Sequence, residues 1–210
     1  MTRHLPHPAL ATAGLTTALL MLAAQPAAAE GAFTVYGGYR GGGSFDQTVG
    51  TKTVADDIDS SGVVAVAVEW AVDGARNGQV FASMQRTNLQ LAPGSATTTL
   101  PINIAYLHLG GTNFFDGQPG HGAYVAGGLG ATFMEPRQDG WSSEIRPSMS
   151  LALGYEYAFT PSLSLRGELR GYATLINSGG GFFCSGGCVV SIHGDGMFQA
   201  DALLGLSMRF

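Results

Sequence analysis

The chain has little of what a water-soluble surface normally needs. Only 12% of its 210 residues are charged, and Lys52 is its one lysine, whereas a soluble domain exposes about 25–35% charged surface residues. Beyond the N-terminal region no segment shows the 3.6-residue periodicity of an amphipathic helix. A formal net charge of -5 gives no basic face for nucleic acid. These absences argue against a soluble helical protein and against a nucleic-acid-binding protein.

The first 29 residues are typical of a secretory signal peptide. Arg3, His4 and His7 form a short basic region, residues 9–24 are apolar but rich in Ala and Thr, and three alanines end at Ala29. That apolar region is too short for a good membrane-spanning helix. We therefore expect cleavage after Ala29 and export, with residues 30–210 forming one domain.

The last fourteen residues alternate strictly between apolar and polar faces. One parity is apolar throughout and ends at Phe210, while the other carries Gln199, Asp201 and Arg209. Such a segment needs an apolar medium on one side, and a tilted strand of about ten residues crosses a bilayer. The C-terminus thus predicts a membrane-spanning β-strand.

Eight such alternating segments fill the mature chain. They are residues 33–40, 62–70, 79–87, 98–109, 123–134, 144–159, 163–175 and 197–210. The parity of the third segment is unclear, because Arg86 shares a face with Val80, Ala82 and Met84. The fourth aligns Ile102, Ile104 and Tyr106 on one face. The pattern predicts an all-β protein with eight antiparallel transmembrane strands.

Connections and side-chain size support a closed barrel. Long connections alternate with short turns near residues 73–74 and 160–162, although a Gly-rich connection at residues 110–122 is longer than this pattern prefers. The uncharged parity is bulky and is expected to face lipid, and the charged parity is padded with Gly, Ser and Ala, as a narrow lumen requires. Aromatic girdle residues are predicted at both ends. They are Trp70, Tyr157, Phe159 and Phe210 at one end, and Tyr39 and Phe133 at the other.

The hairpin of residues 155–172 and the terminal residues 204–210 resemble the eight-stranded outer-membrane β-barrel proteins of Gram-negative bacteria, a group that includes the OmpA transmembrane domain and the opacity-type and OmpW-type barrels. The resemblance implies recognition by the barrel-assembly machinery through a terminal aromatic after alternating apolar residues. The residues that fit this signal are Leu204, Leu206, Met208 and Phe210. The group is functionally diverse, so the resemblance implies a fold and not an activity.

Inward-facing charges form the first candidate site. They comprise Glu156, Arg166, Glu168, Arg170, Asp201 and Arg209, with Arg40 and Glu69 on the same parity. The short turn at residues 160–162 places Glu156 opposite Arg166. A gated polar pathway and a static plug of ion pairs both fit, and the narrow lumen of eight strands favours the plug.

Three further residue groups were considered as a metal site, a calcium site and a catalytic site. Cys184 and Cys188 lie near His193 and Asp195, but in an exported chain a disulfide is favoured over a metal site. The acidic run at residues 56–59 matches no full calcium loop. His108 has no adjacent Ser or Asn in the sequence, and we expect no catalytic residues, no metal and no cofactor.

These observations predict a monomeric outer-membrane barrel with a structural or surface-interaction role through its long loops. The expected partners are outer-membrane lipid and lipopolysaccharide, the assembly machinery and an extracellular ligand or host surface, with no nucleic acid. The alternative is a narrow channel for small or hydrophobic solutes, and a lipid-modifying enzyme ranks third.

Overall fold

A computed structural model describes residues 31–49, 52–90, 99–176, 181–183, 189–191 and 196–210. These residues form twelve strands. In chain order they are β1 (Gly31–Gly41), β2 (Ser44–Val49), β3 (Lys52–Ile58), β4 (Ser61–Asp73), β5 (Arg76–Gln90), β6 (Thr99–Phe114), β7 (Gly122–Pro136), β8 (Glu144–Thr160), β9 (Leu163–Leu175), β10 (Gly181–Phe183), β11 (Val189–Ser191) and β12 (Gly196–Arg209). Within the described ranges, no helix has the length and apolar character needed to span a membrane.

Eight long strands close into one antiparallel barrel. The order is β1, β4, β5, β6, β7, β8, β9 and β12, and β12 pairs back with β1. Gly31 and Phe210 exchange two backbone hydrogen bonds, of 2.8 and 2.9 Å, across this seam. Closure leaves the eight-stranded sheet without a free edge. The predicted fold, an all-β barrel of eight antiparallel strands, is confirmed.

The two ends of the barrel differ in their connections. At the end that we call the turn end, adjacent strands are joined by residues 74–75, 115–121 and 161–162. At the opposite loop end, β2 and β3 form a hairpin that meets β5 through two residue pairs, Asp57 with Gln90 and Ile58 with Leu89. The pair β10–β11 belongs to the connection between β9 and β12 at the same end. Long connections therefore gather at one end, as the sequence predicted.

The connection expected at residues 110–122 is shorter than predicted. Gly110 and Gly111 lie inside β6, paired with Gly128 and Gly127 of β7, and the turn covers only residues 115–121. A Cβ atom added to Gly110 would lie 1.8 Å from the carbonyl oxygen of Gly127. These glycines permit a close approach of two strand backbones, which is a role that glycine has inside sheets as well as in loops.

The outward face carries the apolar parity on most strands. Leu153, Leu169, Leu204 and Leu206 are each more than half exposed to the surroundings of the barrel. All the predicted girdle residues are also exposed on this face. On β5 the unclear parity is resolved, because Gln79, Phe81, Ser83 and Gln85 point inward and the parity with Arg86 points outward.

Strand β6 breaks the rule that the bulky parity faces lipid. Ile102, Ile104 and Tyr106 are at most 1% exposed and point into the barrel, whereas Leu107 and Leu109 face outward. The strands β5, β6 and β7 continue toward the loop end beyond the apolar outer band, and there polar residues such as Asn103 and Glu135 take the outward positions. The relation between parity and polarity therefore inverts along one strand.

Candidate functional site: a filled lumen

Eight charged side chains from five strands meet inside the barrel, and we call them the lumen network. They are Arg40, Glu69, Glu156, Arg166, Glu168, Arg170, Asp201 and Arg209. All are buried except Arg209, whose side chain is 20% exposed. Four guanidinium groups face four carboxylates, so the formal charge of the network balances. Balance is required because an unpaired buried charge is strongly destabilising.

Arg166 is the centre of the network. It stands opposite Glu156 across the β8–β9 hairpin, and its Nη2 lies 2.7 Å from Glu156 Oε2 and 2.6 Å from Glu69 Oε2. The structure therefore brings together the pair placed by the sequence and adds a second acid from β4. The sequence put Glu69 on the inward parity but gave no register between β4 and β9, which are not neighbours.

A single glutamine connects two parts of the network. Gln79 donates to Glu69 Oε1 at 2.9 Å through its amide nitrogen and accepts from Arg170 Nη2 at 3.1 Å through its oxygen. Arg170 Nε in turn donates to Glu168 Oε1 at 2.7 Å, and Tyr124 donates to the other oxygen of Glu168 at 2.9 Å. Neutral side chains thus donate hydrogen bonds to the carboxylate oxygens that no arginine contacts, as buried carboxylates require.

Arg40 and Asp201 form a second ion pair nearer the loop end. They face each other in the β1–β12 register, and Nε and Nη2 of Arg40 donate to the two oxygens of Asp201 at 2.6 and 2.7 Å. The Cζ of Arg40 lies 4.7 Å from the ring centres of both Tyr106 and Tyr172, which stack at 4.1 Å. This bidentate and aromatic arrangement fills the lumen at mid-height.

Arg209 covers the turn end of the lumen. Its Nη2 lies 3.4 Å from Glu156 Oε1, and its Nη1 donates to the carbonyl oxygen of Pro119 in the β6–β7 turn. Gly120 has a positive φ of 96°, and a Cβ atom there would meet the Arg209 guanidinium. The C-terminal strand and the β6–β7 turn therefore close the floor of the barrel together.

Apolar side chains fill the lumen at the loop end, and we call them the outer core. They are Ile58, Leu89, Leu100, Ile102, Ile104, Met134, Ile176 and Met197, each at most 6% exposed. Trp141, from the β7–β8 connection, packs against them. This core was not predicted from the sequence, because a polar lumen was expected along the whole barrel. The alignment of Ile102 with Ile104 was the signal for it.

His108 has a partner that the sequence did not indicate. Its Nε2 lies 2.9 Å from Ser148 Oγ, and both residues stand opposite Gly130, which separates them in the sheet. No Ser adjoins His108 in the sequence, but the structure brings Ser148 to it, because the missing side chain of Gly130 lets the two reach across a strand. The pair is 1% and 5% exposed, and His108 Nδ1 has no partner among the described residues. A catalytic serine needs substrate access and a base held by a third group, and among the described residues the pair is buried and no third group holds His108.

The structure does not describe the cysteine region that the sequence singled out. Cys184, Cys188, His193 and Asp195 lie outside the described residues, as does the signal region. In the described ranges no three His, Cys, Asp or Glu side chains are grouped as a metal site would require. The assembly-signal residues Leu204, Leu206, Met208 and Phe210 are 54–61% exposed on the outward face.

Comparison with known proteins supports the architecture. No family model and no curated protein matches the sequence. The structure is similar to Neisserial surface protein A (NspA), at 12% identity over 87% of this chain and 99% of that chain, with a TM-score of 0.55. It is also similar to outer membrane protein AlkL determined in DMPC bilayers, at 16% identity over 89% and 94% of the two chains, with a TM-score of 0.50. The attachment invasion locus protein Ail of Yersinia pestis matches at 14% identity over 86% and 99%, with a TM-score of 0.43.

Identities this low carry the fold alone. The closed eight-stranded sheet, the apolar outward band and the aromatic girdles agree with these structural matches. The chain therefore has the fold of the eight-stranded outer-membrane β-barrel proteins of Gram-negative bacteria.

Proposed function

We propose that this protein is a monomeric outer-membrane barrel whose lumen is closed to solutes and whose role is structural or surface-interactive. The single observation that supports the proposal is that the lumen is filled by two successive layers of side chains, one charged and one apolar. The lumen network lies from the turn end to mid-height, and the outer core lies above it toward the loop end. An apolar constriction resists the entry of water and ions, and a layer of paired charges resists an apolar solute.

The interaction role rests on the loop end. The long connections and the β2–β3 hairpin gather there, and loops held by a rigid scaffold are where binding residues concentrate. In this role the barrel serves as an anchor, with an extracellular ligand or host surface as the partner. The burial of His108 and Ser148 supports binding over catalysis.

A narrow channel for hydrophobic solutes is the second candidate. The outer core favours it, because apolar side chains at the loop end are a suitable lining for an apolar molecule. Passage would then require Tyr106, Tyr172 and the Arg40–Asp201 pair below the core to separate.

Solute flux into proteoliposomes tests the proposal against this alternative. We expect vesicles with the mature protein to take up neither a small sugar nor a hydrophobic dye faster than protein-free vesicles. A sugar flux proportional to the protein content would contradict the closed lumen. A flux restricted to the hydrophobic dye would establish the second candidate instead.

A further inference from the structure

The outward face of β5, β6 and β7 changes from apolar to polar within one residue pair. Met84, Ala105 and Phe133 face one another across these strands as the last apolar row. The next outward row toward the loop end consists of Arg86, Asn103 and Glu135. A change of this kind marks the level at which the hydrocarbon ends and the lipid headgroups begin.

A second arginine extends this polar rim. The backbone N–H of Arg137 donates to the carbonyl oxygen of Pro101 at 2.8 Å, which continues the β6–β7 ladder by one row. Pro101 is paired with Asn88 of β5. Arg137 therefore stands on the same parity as Glu135, one row further from the membrane than Arg86. We call Arg86, Asn88, Asn103 and Arg137 the rim patch.

The two arginines of the rim patch differ from all others that the structure describes. Every other described arginine has a carboxylate partner within the protein. The side chains of Arg86 and Arg137 are exposed and have no hydrogen-bond or ion-pair partner among the described residues. The two acids beside the patch are engaged by amides: Glu135 accepts a hydrogen bond from Asn103 at 3.3 Å, and Asp59 accepts one from Gln90 at 2.8 Å. Within the part of the chain that the structure describes, these two guanidinium groups thus have no protein anion as a partner.

We propose that the rim patch binds the phosphate of a phosphorylated lipid headgroup in the outer leaflet. A guanidinium group presents a planar fork that matches phosphate oxygens, and basic residues at the membrane surface attract anionic headgroups. Asn88 and Asn103 supply further amide donors beside the two arginines. Arg86, which obscures the lipid-facing parity of β5 in the sequence, then has a function at the end of that face. The inference rests on the outer-membrane location of the barrel and not on the closure of its lumen.

Binding of lipid A to the mature protein, measured by native mass spectrometry from detergent micelles, tests this inference. We expect bis-phosphorylated lipid A to bind the wild-type protein and an Arg86→Gln/Arg137→Gln variant to bind it at least about tenfold more weakly, since charge-assisted hydrogen bonds are lost. Arg76→Gln is the matched control. Arg76 is an exposed arginine at the turn end, with its side chain 65% exposed, so its removal should leave lipid A binding unchanged. Glu135→Gln should strengthen binding, because it removes an acid that lies in the same row as Arg86 and Asn103.

Three outcomes would overturn the assignment. Equal losses in the Arg76→Gln and the double variants would reduce the effect to net charge. Undiminished binding of dephosphorylated lipid A would exclude the phosphate, and displacement by inorganic phosphate at low concentration would assign the patch to a soluble anion. Each of these results leaves the absence of solute flux untouched, so a failure here is distinguishable from a failure of the closed-lumen proposal.

Discussion

Arg166 is a residue whose loss should cost more than the loss of either partner. Arg166→Met leaves Glu69 without its guanidinium group and leaves Glu156 with only the longer contact to Arg209 at 3.4 Å, and breaking a buried pair in this way costs about 3–5 kcal/mol. Glu156→Gln should cost less, because Arg166 keeps Glu69. Urea unfolding in lipid vesicles measures both values, with Arg76→Met as the exposed control. An Arg166→Met protein as stable as the control would contradict the pairing.

A triple variant separates the cost of a stranded charge from the value of the ion pairs. Replacing Arg166 with Met together with Glu69→Gln and Glu156→Gln removes all three charges at once. Because no carboxylate is then left unpaired, we expect the triple variant to regain much of the stability lost by Arg166→Met alone. Additive losses would show that the three residues do not interact.

Gly130 lies where a larger residue would collide with β6. A Cβ atom at this position would lie 1.9 Å from the carbonyl oxygen of Leu107 and 2.8 Å from Cδ2 of His108. Gly130→Ala should therefore displace β6 and the His108–Ser148 pair, at a cost of about 1–3 kcal/mol. Gly167→Ala is the matched control, because nothing lies within 4 Å of a Cβ atom there. Equal unfolding midpoints for the two variants in vesicles would refute this reading of Gly130.

At the scale of elements, the strands near the C-terminus were predicted best. The segment 163–175 agrees with β9 at both ends, and the short turn before it set the Glu156–Arg166 register. A strict alternation bounded by a three-residue turn leaves few alternatives for a hairpin. The face that points to lipid could not be predicted as well for β5 and β6, because the apolar residues move from the outward to the inward parity along these strands.

The reason for this difference is physical. Inside the bilayer a strand presents apolar groups outward, but above it the outward positions face water and the inward positions form a core. Leu107 and Leu109 face outward in the apolar band. Ile102 and Ile104 lie above that band and face inward, although all four residues are on β6. The outer core cannot be predicted if one parity is assumed to face lipid along a whole strand. Pairs such as Arg166–Glu69 cannot be predicted either, because they join strands that are not neighbours.

The lipid-facing parity of β9 can be tested with a single charge. Leu169 is the middle residue of β9 and is 66% exposed on the outward face. Leu169→Arg should cost about 2–4 kcal/mol in vesicles, because the guanidinium would sit near the bilayer midplane. Leu163→Arg, at the turn end of the same strand and face, should cost only about 0–1 kcal/mol. Equal costs at the two positions would contradict the assigned membrane depth.

At the scale of the whole molecule, the lumen contains two kinds of packing, and we propose that together they close it to solutes. The lumen network depends on charge and hydrogen bonds, and the outer core depends on apolar packing. Weakening one leaves the other in place, so a variant with a disturbed network should remain impermeable while it is folded. Under this proposal the loop end is where we expect a binding role.

Single-channel recording in planar lipid bilayers tests the closed lumen most directly. The measurement uses the wild-type mature protein, inserted from detergent, in concentrated potassium chloride at neutral pH. We expect no steady conductance step above the bare bilayer, because the lumen network and the outer core leave no continuous water path. A stable, ion-selective open level from the folded wild-type protein would contradict the account and would make transport the leading function.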